Sequence, residues 1–166
     1  GGATTSDYSI GIGYHALGAG ITTGNQNIAI GSNAADAVTS AYENVAIGRN
    51  AYGVAAAGAY NVAIGPTAMG GALVSGEYNI AIGQSAMCKL TTGICNVAIG
   101  LNALSCITTG CDNIAIGDNA LGVGALTGGD NIALGQNTAD ALTTGNKNIA
   151  MGQHALGSAT TGVKNI

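Results

Sequence analysis

The chain has 166 residues, including 29 Gly, one Pro and no Trp or Phe, and its four Lys and Arg against eight Asp and Glu give a net charge of −4. So few basic residues leave no patch for nucleic acid, and no apolar run reaches the roughly 20 residues of a membrane-spanning helix. A positive mean hydropathy of +0.35 excludes a disordered chain, and the lack of large aromatic residues predicts a thin, regular core.

A unit of 17 or 18 residues repeats along the chain, with the consensus N-[IV]-A-I-G-x-x-A-L followed by a variable stretch that often contains T-T-G. A short fixed period indicates a solenoid, in which each unit forms one coil that stacks on its neighbours. We therefore interpret residues 1–166 as a single repeat array and expect it to be a segment of a longer chain. The units open at Ser9, Asn27, Asn44, Asn61, Asn79, Asn96, Asn113, Asn131 and Asn148.

Each unit is predicted to begin with a β-strand. The second and fourth positions are aliphatic, as in Ile80 and Ile82, and apolar residues at i and i+2 are typical of strands. The fifth position is Gly in every unit, which fits a sharp bend or a close backbone approach. Glycines this frequent would each cost about 1 kcal/mol inside a helix. The predicted fold is therefore all-β, a repetitive β-solenoid (β-roll or β-helix) of about nine coils, and not a helical repeat.

The third position of the unit is small in every copy. If the aliphatic neighbours point into the coil, this position points outward, where a residue that faces water should vary. Tight packing of sheets within one chain is one explanation. The other, which we favour, is a face that packs against neighbouring chains, and it makes these residues chain-contact candidates: Ala29, Ala46, Ala63, Ala81, Ala98, Ala115, Ala133 and Ala150.

Asparagine opens every unit except the first. Coils stacked about 4.8 Å apart bring identical side-chain amides within hydrogen-bonding distance, so a ladder along the rod is expected. A structural corner role is favoured over a catalytic one. The ladder candidates are Asn27, Asn44, Asn61, Asn79, Asn96, Asn113, Asn131 and Asn148.

The succession N-I-A-I-G-x-x-A-L, T-T-G and N-I-A-I-G resembles the repeats of tail-fibre-like proteins of bacteriophages over residues 9–166. It is also similar, more loosely, to the head repeats of trimeric autotransporter adhesins. The resemblance implies a solenoid whose chains associate as a homotrimeric fibre, extracellular, on a virion or a bacterial surface. The implied partner is the chain itself, as trimer or filament, with a cell-surface glycan bound through a distal part.

Three functions are compatible with such a solenoid. The first is a structural shaft segment of an extracellular fibre that presents a distal binding part. The alternatives are a glycan- or ice-binding module and a subunit of a self-assembling extracellular filament. No Ser-His-Asp set or carboxylate pair predicts an enzyme, and no cofactor is assigned.

Four cysteines, Cys88, Cys95, Cys106 and Cys111, flank two T-T-G turns in adjacent units. They are disulfide candidates in an oxidising extracellular setting. The pairing is open: 88 with 95 and 106 with 111 within the turns, or 88 with 106 and 95 with 111 between coils. Zinc is the weaker alternative, because the 88/95 spacing does not fit a metal-binding pair.

Other chemical motifs are weaker. His15 and His154 occupy the same repeat position but lie eight coils apart, too far to share a metal. The segment Leu126-Thr-Gly-Gly-Asp130 lacks the repetition that a calcium-binding roll requires. No metal site is therefore assigned.

Two surface features remain as binding candidates. Tyr42, Tyr60 and Tyr78 lie near successive unit junctions and are weak glycan-contact candidates, with covering of the core edge as the plainer role. Thr pairs such as Thr22-Thr23 and Thr91-Thr92 suggest an ice-binding face, although several units lack the pair.

Overall fold

A computed structural model describes residues 8–18, 23–54 and 57–166. In this part of the chain it is an all-β parallel β-solenoid without a helix. We number the coils one to nine after the strand in each, so coil five is residues 79–95 and coil six is residues 96–112. The strands are β1 (Ile10–Ile12), β2 (Ile28–Ile30), β3 (Val45–Ile47), β4 (Val62–Ile64), β5 (Ile80–Ile82), β6 (Val97–Ile99), β7 (Ile114–Ile116), β8 (Ile132–Leu134) and β9 (Ile149–Met151).

The strands form a single parallel sheet in chain order, β1 to β9. Equivalent repeat positions pair with each other, so that Ala98 lies opposite Ala81 and Ala115. The turn segments stack in the same way, since the amide of Leu104 donates to the carbonyl of Ala120 at 3.0 Å. Exact repetition of the sequence pattern fixes this register, because a one-residue slip would exchange the two faces of every strand.

Each coil bends at residues in the left-handed backbone conformation. In coil six these are Asn102 (φ 54°), Leu104 (φ 49°) and Asp112 (φ 59°). The same three positions are left-handed in coil seven, at Asn119, Leu121 and Asp130. Asn tolerates this region better than most residues, which explains its frequency at the seventh position of the unit.

The core runs along the solenoid axis and is built from small and medium side chains. In most coils the third and eighth positions supply Ala, the ninth position supplies Leu, Met or Tyr (Ala in coils two and eight), and the return segment supplies one more aliphatic residue. In coil six these are Ala98, Ala103, Leu104 and Ile107, all fully buried. Stacking such coils builds a continuous core from residues that could not form one in a single coil.

The chain-contact prediction for the third position is wrong, because these alanines point into the coil's own interior. Ala29, Ala46, Ala63, Ala81, Ala98, Ala115, Ala133 and Ala150 are 0–3% exposed in the single chain. A Cβ added to Gly11, the equivalent residue of coil one, would lie 3.5 Å from Leu17 Cδ1 and 3.2 Å from the Ala16 carbonyl. A methyl group therefore fills the space between the strand and the opposite wall, and the third position is small because the interior is narrow.

The sequence prediction for the neighbouring aliphatic residues is wrong for the same reason, because their side chains point away from the coil interior. The second and fourth positions of each unit point outward and are partly exposed, as at Ile99 (36%) and Ile116 (41%). Charged residues in place of Ala81, Ala98 and Ala115 would enter the core and unfold the coil instead of separating chains.

Candidate functional surfaces

The outer surface of the sheet is an unbroken aliphatic strip. We call it the aliphatic face: the first and third residue of each strand from β1 to β9. It consists of Ile10, Ile12, Ile28, Ile30, Val45, Ile47, Val62, Ile64, Ile80, Ile82, Val97, Ile99, Ile114, Ile116, Ile132, Leu134, Ile149 and Met151.

The aliphatic face lacks the charged or polar residues that a sheet surface in water normally carries. About a third of each side chain is accessible, so the exposed area of the aliphatic face is on the order of 1,000 Å². This area exceeds the few hundred Å² that are usual for apolar patches of monomeric proteins. The sequence interpretation missed this surface because it placed the larger side chains inside. The signal in the sequence is that two positions of every copy are apolar without any polar substitution, and are β-branched everywhere except at Leu134 and Met151.

The asparagines that open the units lie inside the coil corner and form a continuous amide chain. In coil six, Asn96 Nδ2 donates to Asn79 Oδ1 at 3.0 Å and to the Gly110 carbonyl at 2.8 Å. Asn96 Oδ1 in turn accepts from the backbone amide of Asn113 at 3.0 Å and from its Nδ2 at 3.1 Å. Because Asn96 is fully buried, these amides serve the structure and are not accessible to a ligand.

Tyr52 changes the ladder at one rung. Its ring is buried in the core at the ninth position of coil three, and its hydroxyl accepts from Asn61 Nδ2 at 3.1 Å. Asn61 still binds Asn44 Oδ1 through its backbone amide, at 2.8 Å. Burial raises the pKa of the Tyr52 phenol far above its usual range, so the hydroxyl stays protonated and remains a structural partner.

The four cysteines lie on the surface of coils five and six, and all four are free thiols. Cys88 Sγ lies 3.3 Å from the carbonyl of Ser105, and Ser105 Oγ lies 3.8 Å from Cys106 Sγ. The Lys89 ammonium is also 3.8 Å from Cys106 Sγ. Burial raises the pKa of the Cys88 thiol, and the neighbouring Cys106 adds to the shift.

The other two cysteines lie at the end of the same two coils. Cys111 Sγ accepts from the backbone amide of Ile94 at 3.4 Å and lies 3.4 Å from the carbonyl of Thr109. Cys95 follows Ile94 directly and is exposed. The thiols of Cys88 and Cys111 thus each reach across to the neighbouring coil.

The tyrosines form a short surface stack. The Tyr60 and Tyr78 rings are parallel with centroids 4.8 Å apart, and Tyr42 meets Tyr60 edge-on at 5.3 Å. Tyr42 is 39% exposed and Tyr78 is 54% exposed. Because the rings cover one another, the inner faces of Tyr60 and Tyr78 are not available to stack on a sugar.

The threonines of the T-T-G turns are divided between two roles. In two turns the first hydroxyl of the pair donates to the next coil, from Thr91 Oγ1 to the Thr108 carbonyl and from Thr143 Oγ1 to the Thr160 carbonyl, both at 2.9 Å. In coil one the second threonine does so, from Thr23 Oγ1 to the Thr39 carbonyl at 3.2 Å. The second residue, such as Thr92, is exposed. One hydroxyl of these pairs therefore closes the turn; Thr22 lies outside the described residues.

Titratable residues do not gather into a site in residues 8–18, 23–54 and 57–166, where no group of three or more His, Cys, Asp and Glu could hold a metal ion. His15 Nδ1 lies 3.7 Å from Asp36 Oδ1, and that oxygen is buried without a hydrogen-bond partner. A cavity of about 280 Å³ beside Asp36 is lined by Asn33, Asn50 and Thr67. One carboxylate falls short of the about six to eight oxygens that Ca²⁺ takes.

No family model, curated protein or solved structure matches this chain at a significant level. Within the described ranges, no helix has the length and apolar character needed to cross a membrane. The geometry therefore defines the class of the chain, a parallel β-solenoid repeat protein, and the surfaces described above carry what can be inferred about its function.

Proposed function

We propose that the chain is a structural shaft segment of an extracellular fibre, of the phage tail-fibre or bacterial surface-adhesin kind, in which copies associate through the aliphatic face. The observation that carries the proposal is this face, which follows the whole described sheet without a charged side chain. A free sheet surface in water would alternate with polar residues.

A second copy of the chain is the partner that fits the aliphatic face best. The side chains recur every coil, about 4.8 Å apart, and a second solenoid has the same repeat, so its ridges can enter the grooves of the first along the full length. The available area, on the order of 1,000 Å² per chain, is comparable to the roughly 800 Å² per partner of a stable interface. The sequence resemblance favours three copies around a common axis.

A glycan-binding module is the second candidate function. The exposed Tyr42 and Tyr78 rings favour it, because aromatic rings with one apolar face and a hydroxyl suit sugar recognition. It ranks below the shaft because the three rings pack on each other.

The test is the mass of the chain in solution, measured by light scattering after size exclusion. We expect three times 16.0 kDa for the unaltered chain, and 16.0 kDa for the variant Ile99→Glu/Ile116→Glu, in which two charges enter the aliphatic face. The matched control is Leu73→Glu/Val123→Glu, which replaces two exposed aliphatic residues, each 65% exposed, outside the face. The control should keep the parent mass.

Three outcomes would contradict the proposal. A monomeric parent chain would remove the interface and would raise the glycan-binding module to first place. Large polydisperse species would favour a self-assembling filament. An unchanged mass of the face variant, with an unchanged circular dichroism spectrum, would show that copies associate through another surface.

A further inference from the structure

We infer that the four cysteines form two disulfides between coils, Cys88 with Cys106 and Cys95 with Cys111, which fasten coil five to coil six. This inference concerns how two coils are joined within one chain. It therefore stands independently of the fibre proposal.

The register of the solenoid brings the first pair together. Cys88 and Ser105 occupy the same repeat position in adjacent coils, and Cys106 is one residue further along. With coils about 4.8 Å apart and consecutive Cα atoms about 3.8 Å apart, the two Cα atoms are roughly 6 Å apart, within the range of about 4.4–6.8 Å that disulfides require. The Cys88 thiol already contacts the carbonyl of Ser105, the residue that precedes Cys106.

The second pair repeats this relation in mirror order. Ile94 and Cys111 share a repeat position, and Cys95 is one residue further along coil five. The Cys111 sulfur lies against the amide of Ile94, next to the backbone of Cys95. Both pairs therefore span the same step between coils, and the recorded thiol contacts of Cys88 and Cys111 across that step favour this pairing over one within the turns.

The surroundings of the first pair also suit thiol–disulfide exchange. Lys89 places an ammonium 3.8 Å from Cys106 Sγ, whereas burial raises the pKa of the Cys88 thiol and so disfavours its thiolate. Cys106 is thus the expected first nucleophile. Its thiolate attacks a small disulfide such as oxidised glutathione and releases one glutathione thiolate. The Cys88 thiolate then displaces the second glutathione, so one disulfide is reduced for each one formed.

The chain carries a convenient cleavage site for testing the first pair. Trypsin cuts after Lys89 and separates Cys88, in the peptide 50–89, from the other three cysteines, in the peptide 90–147. The variant Cys95→Ser/Cys111→Ser is incubated with oxidised glutathione, blocked with N-ethylmaleimide in guanidinium and digested. We expect the two peptides to be joined by a disulfide, with a mass two hydrogen atoms below their sum.

Matched variants keep the same number of cysteines in other combinations. Cys106→Ser/Cys111→Ser retains Cys88 and Cys95, and should keep both thiols blocked by maleimide under the same conditions. Cys88→Ser/Cys106→Ser retains Cys95 and Cys111, which should form a disulfide, so that maleimide labels neither of them. Because Cys95 and Cys111 lie in the same tryptic peptide, 90–147, the mass of that peptide shows whether they are joined by a disulfide or labelled by maleimide.

The reverse pattern would overturn the inference. If the Cys88/Cys95 variant is oxidised while the Cys88/Cys106 variant keeps two blocked thiols, the disulfides lie within the turns. If every variant stays reduced, with a circular dichroism spectrum like that of the parent chain, the cysteines do not form disulfides. As a second readout, oxidation of the unaltered chain should raise the urea midpoint of unfolding, and dithiothreitol should reverse the rise.

Discussion

At the residue scale, a single buried amide per coil connects the strand, the return turn and the next coil. Asn96 joins Asn79 behind it, Asn113 ahead of it and Gly110 in the next return turn. Asn suits this place because it has both donors and an acceptor without a charge. Ser9 shows what a shorter side chain retains, since its Oγ still accepts from the amide of Asn27 at 3.1 Å.

Replacement of Asn96 should distinguish a hydrogen-bonding role from simple space filling. We expect Asn96→Ala to lower the free energy of unfolding by about 2–3 kcal/mol, because the buried amide of Asn113 loses its acceptor. Asn96→Ser should cost less, since its hydroxyl can accept as Ser9 does. Urea unfolding followed by circular dichroism measures both.

The last rung offers a control for this series. Asn165→Ala removes an amide that is only partly buried and should cost less than about 1 kcal/mol. Equal losses for Asn96→Ala and Asn96→Ser would contradict the role assigned to the acceptor.

At the element scale, each strand is followed by a glycine that no other residue can replace without loss. Gly100 has a φ of 135°, and a Cβ there would lie 2.6 Å from the carbonyl oxygen of Gly117 in the next coil. Gly152 in coil nine has a φ of 104° but nothing within 4 Å of such a Cβ. The two glycines share the unusual backbone and differ in the close approach.

This pair separates backbone strain from the contact between coils. Gly152→Ala should cost only the strain of its φ, about 1–3 kcal/mol. Gly100→Ala should cost clearly more, because the neighbouring backbone must also move, and we expect it to unfold the coils around it. Hydrogen exchange of the strand amides measures how far the coils around each substitution unfold. Similar protection in the two variants would contradict the role of the close approach between Gly100 and Gly117.

The elements themselves follow from the sequence more readily than their orientation. The strand at Val97–Ile99, the bend at Gly100 and the stacking of Asn96 on Asn79 all derive from residue types that recur at fixed spacing. The sequence does not determine which face of the strand is buried, because Ala98, Val97 and Ile99 are all apolar and either face could be buried. The width of the interior decides, and it depends on Leu104 across the coil.

The cysteine arrangement was predictable only in part for a similar reason. The sequence shows that Cys88 and Cys106 are one coil plus one residue apart, but it does not show which positions face the neighbouring coil. The register of the turn segments supplies this information, through the contact between Cys88 and Ser105. The role of Lys89 beside Cys106 has no distinct signal in the sequence.

At the scale of the whole molecule, nearest-neighbour stacking should make the coils interchangeable. Deletion of residues 131–147, one whole coil without a cysteine, places Asn148 directly after Asp130 and keeps every repeat position in register. We expect a folded chain whose denaturant dependence of unfolding falls by about one-ninth, since the exposed surface scales with the number of coils. Deletion of residues 139–147, half a coil, should instead disrupt the stack. A folded half-coil variant with an unchanged urea transition would contradict this view.

The asparagine ladder also gives the rod a direction. From Asn44 to Asn165, each side-chain amide except that of Asn61 donates to the asparagine of the preceding coil, so the amide dipoles align head to tail and reinforce one another. The positive ends of these dipoles point toward coil one and the negative ends toward coil nine. A further coil can extend the series only in the same orientation, and two such rods that meet end to end must do so head to tail, so any longer assembly built by stacking is polar.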